Sequence, residues 1–290
     1  MTGVAYHPAT SVEDALDVLG RYGEDARIVA GGTAMVVLMK NRLVRPAVLL
    51  GIIGIPGLDR IRLGTAGILE IGAAATLRAV ELEPLVRQRA AALAEAAGRV
   101  ATVRVRNQAT LGGNIVHADP AQDPPPMLLA LDASVVLEGA GTRRSVPLDG
   151  FYVDLFETVM RHDEILTTIV VPPPPEAARF TYIKFLPRTV DDFATVSAAE
   201  RLQLAADGTV EDLRIALGGA HSVPFRATSA EAALRGRRPD PAAIDDAAAL
   251  ARDAAEPFPD VRGSAAYKRD MVRVWVARAL TSLAQPAGHA

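Results

Sequence analysis

Two glycine-centred stretches hold the residue types that could grip a phosphorylated ligand. The first is Val29-Ala30-Gly31-Gly32-Thr33-Ala34-Met35, and the second is Thr110-Leu111-Gly112-Gly113-Asn114 with Asp123 nine residues further on. Paired glycines let main-chain amides approach an anion without a Cβ in the way, and the flanking Thr and Asn side chains add short hydrogen-bonding arms. Two such cradles suit a ligand with two phosphates. Taken singly, each stretch is more often an ordinary glycine turn than half of a nucleotide site. Neither is a Walker loop or a GxGxxG fingerprint, because the Lys-Ser/Thr pair or the third glycine is missing.

Composition removes several kinds of chemistry. The chain has no cysteine, so disulfides, thiolate-bound zinc, a cysteine nucleophile and an ordinary iron–sulfur cluster are excluded on this polypeptide. Its five histidines, His7, His117, His162, His221 and His289, show no metal-ligand spacing. If the chain moves electrons, an organic cofactor must carry them. A net charge of −3 over 290 residues gives no electrostatic case for nucleic acid or an anionic membrane. No apolar run reaches the length of a spanning helix, and the first residues lack a basic segment followed by an apolar core. A soluble cytoplasmic protein without membrane insertion is the expectation.

Elements must hold the two stretches in place. Ser11 is the N-cap of a helix with Glu13 and Asp14 in its first turn, closed by Gly20 and Gly23. Arg27–Ala30 is a strand that delivers the first stretch, Met35–Asn41 a helix after it, and Ala47–Ile53 a second strand. Residues 1–55 thus form a small α/β unit. Asp59–Leu63 and Ile68–Ile71 pair as a hairpin, Thr76 caps a short helix, and Pro84 opens one helix running to about Ala97. The second stretch follows as a glycine loop, then a helix from Pro124 to Leu131 and strands at Ser134–Glu138, Arg143–Pro147 and Ile165–Val171. Residues 56–175 are therefore an α+β unit, closed by the four prolines Pro172–Pro175, which cannot sit inside a helix or central strand. Residues 176–290 form a third unit, with strands at Phe180–Leu186, Ala194–Leu204 and Leu213–Gly218. Helices follow at Thr228–Arg235, Pro241–Asp253 and Ser264–Leu283.

Together, Ala30-Gly31-Gly32-Thr33, Thr110 to Asn114 and Asp123 resemble the FAD-binding medium subunit of the molybdenum hydroxylases, the family of aerobic carbon monoxide dehydrogenase and xanthine dehydrogenase. The likeness covers nearly the whole chain and includes Gly218–Arg226 and Ala266–Met271. It implies an α+β fold, a two-subdomain FAD-binding domain of the PCMH/VAO type followed by a C-terminal domain of antiparallel sheet and helices. The resemblance also implies non-covalent FAD. Gly31, Gly32, Gly112 and Gly113 then offer amides to the diphosphate, Thr33, Thr110 and Asn114 donate side-chain hydrogen bonds, and Val29, Ala30, Ala34, Met35 and Leu111 complete the two segments. Asp123 accepts from ribityl or ribose hydroxyls, or caps the Pro124 helix, or both. Leu166 touches the flavin, Lys184 lies at the pyrimidine edge of the ring, and Phe193 lies against one ring face; read without the family, Lys184 is a strand lysine facing solvent. Asp191 and Asp192 shape the acceptor entrance or cap a turn. Ala34 departs from the family pattern, where Asp, Ser or Glu is common.

The implied activity is that of an oxidoreductase subunit. It takes electrons from [2Fe–2S] clusters on a small partner and passes them to a terminal acceptor, while a large molybdopterin partner oxidises the substrate, in a heterotrimer or its dimer. Molybdopterin and iron–sulfur clusters belong to the partners only. No residue is assigned as catalytic here, and His117 and Asp119 are read as structural or solvent-facing. The rival is a stand-alone FAD-dependent oxidase or reductase of the same fold. Against it, residues 176–290 are short and alanine-rich for a substrate domain. A scaffold that has lost its cofactor fits less well with two intact glycine stretches.

Overall fold

The computed structural model describes residues 3–186, 189 and 191–285. Pro187, Arg188 and Val190, in the segment between Tyr182 and Ala194, lie outside the described residues. The chain opens with β1 (Ala5–Pro8), α1 (Val12–Tyr22), β2 (Ala26–Val29), α2 (Met35–Lys40) and β3 (Val48–Gly51). The strands form a parallel sheet in the order β1-β3-β2. Parallel neighbours need a crossover, and the two helices supply it. Ser11 caps α1 by accepting from the Asp14 amide at 3.1 Å. The helix passes through Gly20 and stops at Gly23, whose φ of 52° suits a residue without Cβ. Ala15, Val18 and Leu19 recur at helical spacing and are buried.

The second unit begins with β4 (Ile61–Leu63) and β5 (Leu69–Gly72), then runs through α3 (Leu77–Leu82), α4 (Pro84–Arg89), α5 (Ala91–Gly98), α6 (Val103–Arg106), α7 (Leu111–His117) and α8 (Pro124–Ala130). Strands β6 (Ser134–Gly139), β7 (Thr142–Pro147), β8 (Tyr152–Asp154), β9 (Glu157–Thr158) and β10 (Glu164–Val171) complete it. Five of them make an antiparallel sheet in the order β4-β5-β10-β6-β7, and β8 and β9 pair separately. The single helix expected from Pro84 is two. Ala90, with φ −148° and ψ 55°, breaks it without any glycine or proline. The turn frees α5 to bury Leu93, Ala96 and Ala97, whereas α4 buries only Val86. Tertiary packing overrides alanine's helix propensity here.

The last unit comprises β11 (Arg179–Phe185), β12 (Val196–Leu204), β13 (Val210–Gly218), β14 (Phe225–Arg226), α9 (Thr228–Leu234), α10 (Pro241–Asp253) and α11 (Ala265–Ala284). Its four strands lie antiparallel in chain order. Alternation along the strands sends successive side chains to opposite faces. Val196, Ala198, Leu202, Leu213, Ile215 and Leu217 join one core with Ile244, Val272, Val276 and Leu280 of the helices. Tyr182, Ala199 and Ala216 join a second core, shared with Met127 and Leu128 of α8. The fold is α+β, as the sequence implies.

A charged clasp reinforces that junction. Asp132, just after α8, accepts from Arg201 Nη2 of β12 at 2.6 Å and from Arg214 Nε of β13 at 2.9 Å. Asp212 accepts from the same two guanidinium groups, through Oδ2 from Nε and Nη2 of Arg201 and through Oδ1 from Nη1 of Arg214.

Candidate functional site

Strand β2 ends at Val29, whose carbonyl accepts from the Ile52 amide at 3.0 Å, and the chain leaves the sheet through Ala30 to Ala34 before α2 begins at Met35. Gly32 has φ +71°, a conformation that L side chains avoid, so the turn demands glycine there. Gly31 is needed for a different reason. A Cβ on it would lie 1.8 Å from the Gln108 carbonyl oxygen and 3.0 Å from the Ala109 nitrogen. The first stretch therefore rests directly on the backbone that leads into the second. Among the described residues, the amides of Gly31, Gly32, Thr33, Ala34 and Met35 donate to no protein acceptor. The last three are the first-turn amides that any helix start leaves free, and with no side-chain cap to take them the run suits an anionic ligand. Ala34 stands at the N-cap of α2 and has no side chain to take the freed amides.

The second stretch is a helix start and not the glycine loop expected from its sequence. Thr110 caps α7, its Oγ1 accepting from the Gly113 amide at 3.1 Å. Leu111 and Gly112 donate to the Ala75 and Ala73 carbonyls at 2.9 and 3.0 Å, and the Asn114 amide to the Thr110 carbonyl at 2.9 Å. The Gly112 and Gly113 amides, expected to face a phosphate, are thus already committed within the protein. Gly112 is required by packing, since a Cβ there would sit 2.6 Å from both the Cβ and the carbonyl oxygen of Ala73. Gly113 is exposed, and a Cβ on it would lie 2.9 Å from Thr110 Oγ1, the atom that caps α7. Beside it, Asn114 Oδ1 is buried with no partner among the described residues. A buried polar atom left unpaired costs about 1–3 kcal/mol unless a ligand or water completes it.

Asp123 stands at the N-cap of α8, yet its side chain makes no capping bond. The carboxylate turns towards the C-terminal sheet. Tyr182 Oη donates to Oδ1 at 2.5 Å, and Lys184 Nζ donates to Oδ2 at 2.9 Å and to the Arg99 carbonyl at 2.8 Å. The Lys184 side chain is only 2% exposed, so the solvent-facing reading of this lysine is overturned. Burial lifts the Asp123 carboxyl above its ordinary range, against the pull of the Lys184 charge and the Tyr182 hydrogen bond. Composition gives no hint of Tyr182 or of the Arg99 carbonyl. Only the i, i+2 spacing of Tyr182 and Lys184 on one strand could have paired them.

The remaining expected residues are more dispersed. Leu166 is buried on β10, at the bulge where the register with β6 shifts between Leu166 and Thr168. Phe193 lies half-exposed in the connection after β11, with the Arg262 guanidinium 5.5 Å from its ring centroid. Asp192 accepts from the Phe193 amide at 2.7 Å and from Arg262 at 2.8 Å, which is the turn-capping alternative for that residue. His117 packs at 5.2 Å between ring centroids on Phe156, and burial pushes its imidazole below its ordinary range, against the Asp119 charge.

Residues 2–174 match the family described as the FAD binding domain in molybdopterin dehydrogenase. This chain belongs to that family. Residues 181–283 match the CO dehydrogenase flavoprotein C-terminal domain. The chain is 36% identical over 277 residues to the carbon monoxide dehydrogenase medium chain of Hydrogenophaga pseudoflava, covering 96% of each. It is 34% identical to the 6-hydroxypseudooxynicotine dehydrogenase complex subunit alpha of Paenarthrobacter nicotinovorans, over 95% of this chain and 92% of that one. A solved structure of the Hydrogenophaga pseudoflava carbon monoxide dehydrogenase superposes with a TM-score of 0.93 at 38% identity, covering 97% of this chain and 96% of that chain. Quinoline 2-oxidoreductase from Pseudomonas putida 86 superposes at 0.91 with 30% identity, covering 98% and 97%. The protein is an FAD-binding medium subunit, the flavoprotein part of a multi-subunit molybdenum oxidoreductase. Among the described residues no helix is long and apolar enough to cross a membrane.

Proposed function

We propose that this medium subunit relays electrons, receiving them from [2Fe–2S] clusters on a small partner and passing them to a terminal acceptor, while a large molybdopterin partner oxidises the substrate. A heterotrimer, or its dimer, is the assembly this reading requires, and the cytoplasm its setting. The observation that carries it is the run of five unpartnered amides from Gly31 to Met35, seated on the backbone that precedes Thr110. Bound FAD supplies a ring that accepts and releases electrons at a potential tuned by its surroundings.

The chain's own contribution follows from the donors. The amides of Gly31 to Met35, flanked by Val29 and Ala30, would hold the diphosphate, and the Thr33 hydroxyl adds a donor. On the other side, the exposed Cα surface of Gly113 would allow close approach, and Asn114 Oδ1 would gain the partner it lacks. Thr110 and Leu111 support that surface, since the Thr110 oxygen already accepts from α7. Asp123 Oδ1 and Oδ2 each keep a lone pair for a ribityl or ribose hydroxyl. Lys184 uses two of its three N–H groups on Asp123 and Arg99, which leaves one for the pyrimidine edge of the ring. Leu166 and Phe193 would flank the ring with apolar surface. In this division residues 1–55 and 56–175 supply one side of the cradle each, and residues 176–290 supply Lys184 and Phe193.

Purification of the chain alone and with its partners tests the reading. The expected results are the two-band visible spectrum of an oxidised flavin, FAD released on denaturation, and co-purification with molybdenum and iron–sulfur subunits. Substrate should bleach the flavin only in the complex. A colourless chain that cannot be reconstituted with FAD would overturn the proposal, and bleaching by substrate in the isolated chain would favour a stand-alone oxidase.

A further inference from the structure

The Asp123 carboxylate is held from both sides by one strand of the other domain. Tyr182 and Lys184 lie two residues apart on β11 and project from the same face. The phenol takes one carboxylate oxygen and the ammonium takes the other. All three groups are buried: Asp123 is 4% and Tyr182 5% exposed. Arg99, at the C-cap of α5, adds its carbonyl as a second acceptor for Lys184 and its positive charge at longer range. Within this cluster the lysine has two fixed acceptors, but the carboxylate has a single neutral donor. That donor is Tyr182, and burial together with the Asp123 charge keeps its phenol protonated.

The consequence is a division of labour within the carboxylate. With Oδ1 occupied by the phenol, the group is not free to rotate, and Oδ2 faces Lys184 alone. Without the phenol, both oxygens would compete for the one ammonium, and the buried carboxyl would take up a proton at higher pH. Either change displaces or uncovers the Lys184 charge. We propose that Tyr182 is a positioning residue of the flavin site, fixing the Asp123 carboxylate so that the Lys184 ammonium stays where it sets the reduction potential of bound FAD. This inference rests on the reading that Lys184 borders the flavin ring.

The test is the flavin midpoint potential of the assembled enzyme, titrated spectroelectrochemically across a range of pH, together with FAD content. Tyr182→Phe keeps the ring and removes only the donor. The expected result is bound FAD with a potential that departs from that of the parent by an amount that varies with pH, because Asp123 then gains its proton at higher pH. Lys184→Met is measured in parallel. A difference between parent and Tyr182→Phe that is zero at every pH, with FAD bound in both and with Lys184→Met shifted, overturns the role of Tyr182. No shift in Lys184→Met overturns instead the underlying placement of the lysine. If Tyr182→Phe does not accumulate as a folded complex, a fluorotyrosine placed at position 182 has the same shape and is a stronger donor. It must move the pH dependence in the opposite direction, and an unmoved profile again overturns the proposal.

Discussion

The Cα of Gly31 faces the carbonyl of Gln108 so closely that a Cβ would lie 1.8 Å from its oxygen. Two segments far apart in sequence are thereby joined at the backbone, and neither contact atom belongs to a side chain that could swing away. Gly31→Ala must separate them. It is expected to lower the flavin content of the purified subunit more than ten-fold and to cost about 1–3 kcal/mol of stability, the usual range for overpacking. Gly32→Ala is the control, because its Cβ would find ordinary contacts at 3.5 and 3.7 Å and suffer only from its φ of +71°. It should cost about 1–2 kcal/mol and lose less flavin than Gly31→Ala. Absorbance ratios and thermal melts of both variants check the contrast.

Lys184→Met leaves the Asp123 carboxylate buried without its cation. The loss is expected to reach about 3–5 kcal/mol where Asp123 must be ionised. Burial has already raised this carboxyl, and removing the lysine raises it further. A raised acid favours the fold in its protonated form, so its contribution fades as pH rises through the folded value. The deficit of Lys184→Met against the parent should therefore be larger at pH 8 than at pH 5. Equal deficits at both would remove Asp123 from the explanation.

Glu200 is the second buried acid with a pH signature. It sits mid-strand in β12, fully buried, with neither carboxyl oxygen paired among the described residues, and burial pushes it well above its ordinary value. Stability from this group is complete below the unfolded value and is lost as pH rises through the folded one. Glu200→Gln removes the ionisation and keeps the shape. Its melting temperature should gain on that of the parent as pH increases from 5 to 8, and a parallel pair of curves would refute the assignment.

Asp132 tests the junction of the two domains. Its φ of +53° is one that Asp and Asn tolerate better than most residues, so Asp132→Asn keeps the backbone and removes the charge shared by Arg201 and Arg214. A loss of about 1.5–3 kcal/mol is expected, the range for a hydrogen bond to a charged group. Hydrogen exchange should quicken in α8, β12 and β13 but not in β1 to β3. Uniform quickening would mean that the clasp has no local role.

Much of the fold was legible in the chain because its signals are short-range. Ser11, Thr76 and Asp240 each precede a helix and each accept from the amide three residues on. The strands of the C-terminal sheet show the alternation that two unlike cores require. The break at Ala90 had no such signal, since alanine is equally content in one long helix and only packing of α5 decides otherwise; the short α6 did carry one, its cap Thr102 accepting from the Val105 amide. The second glycine stretch misled for a related reason. Gly112 and Gly113 look like a flexible loop until Ala73, nearly forty residues earlier, arrives within contact distance and makes small residues the condition for a helix.

The sequence by itself determined which residues could serve a dinucleotide and that no thiol chemistry belongs to this chain, because those facts follow from side-chain type and spacing. Tertiary structure alone decided how the donors are divided. It freed the Gly31 to Met35 amides and spent those of Gly112 and Gly113. It also brought Tyr182 and Lys184, 59 and 61 residues from Asp123, onto one carboxylate. The physical reason is that hydrogen-bond capacity is local to a residue, whereas its use depends on which distant groups the cores bring within 3 Å.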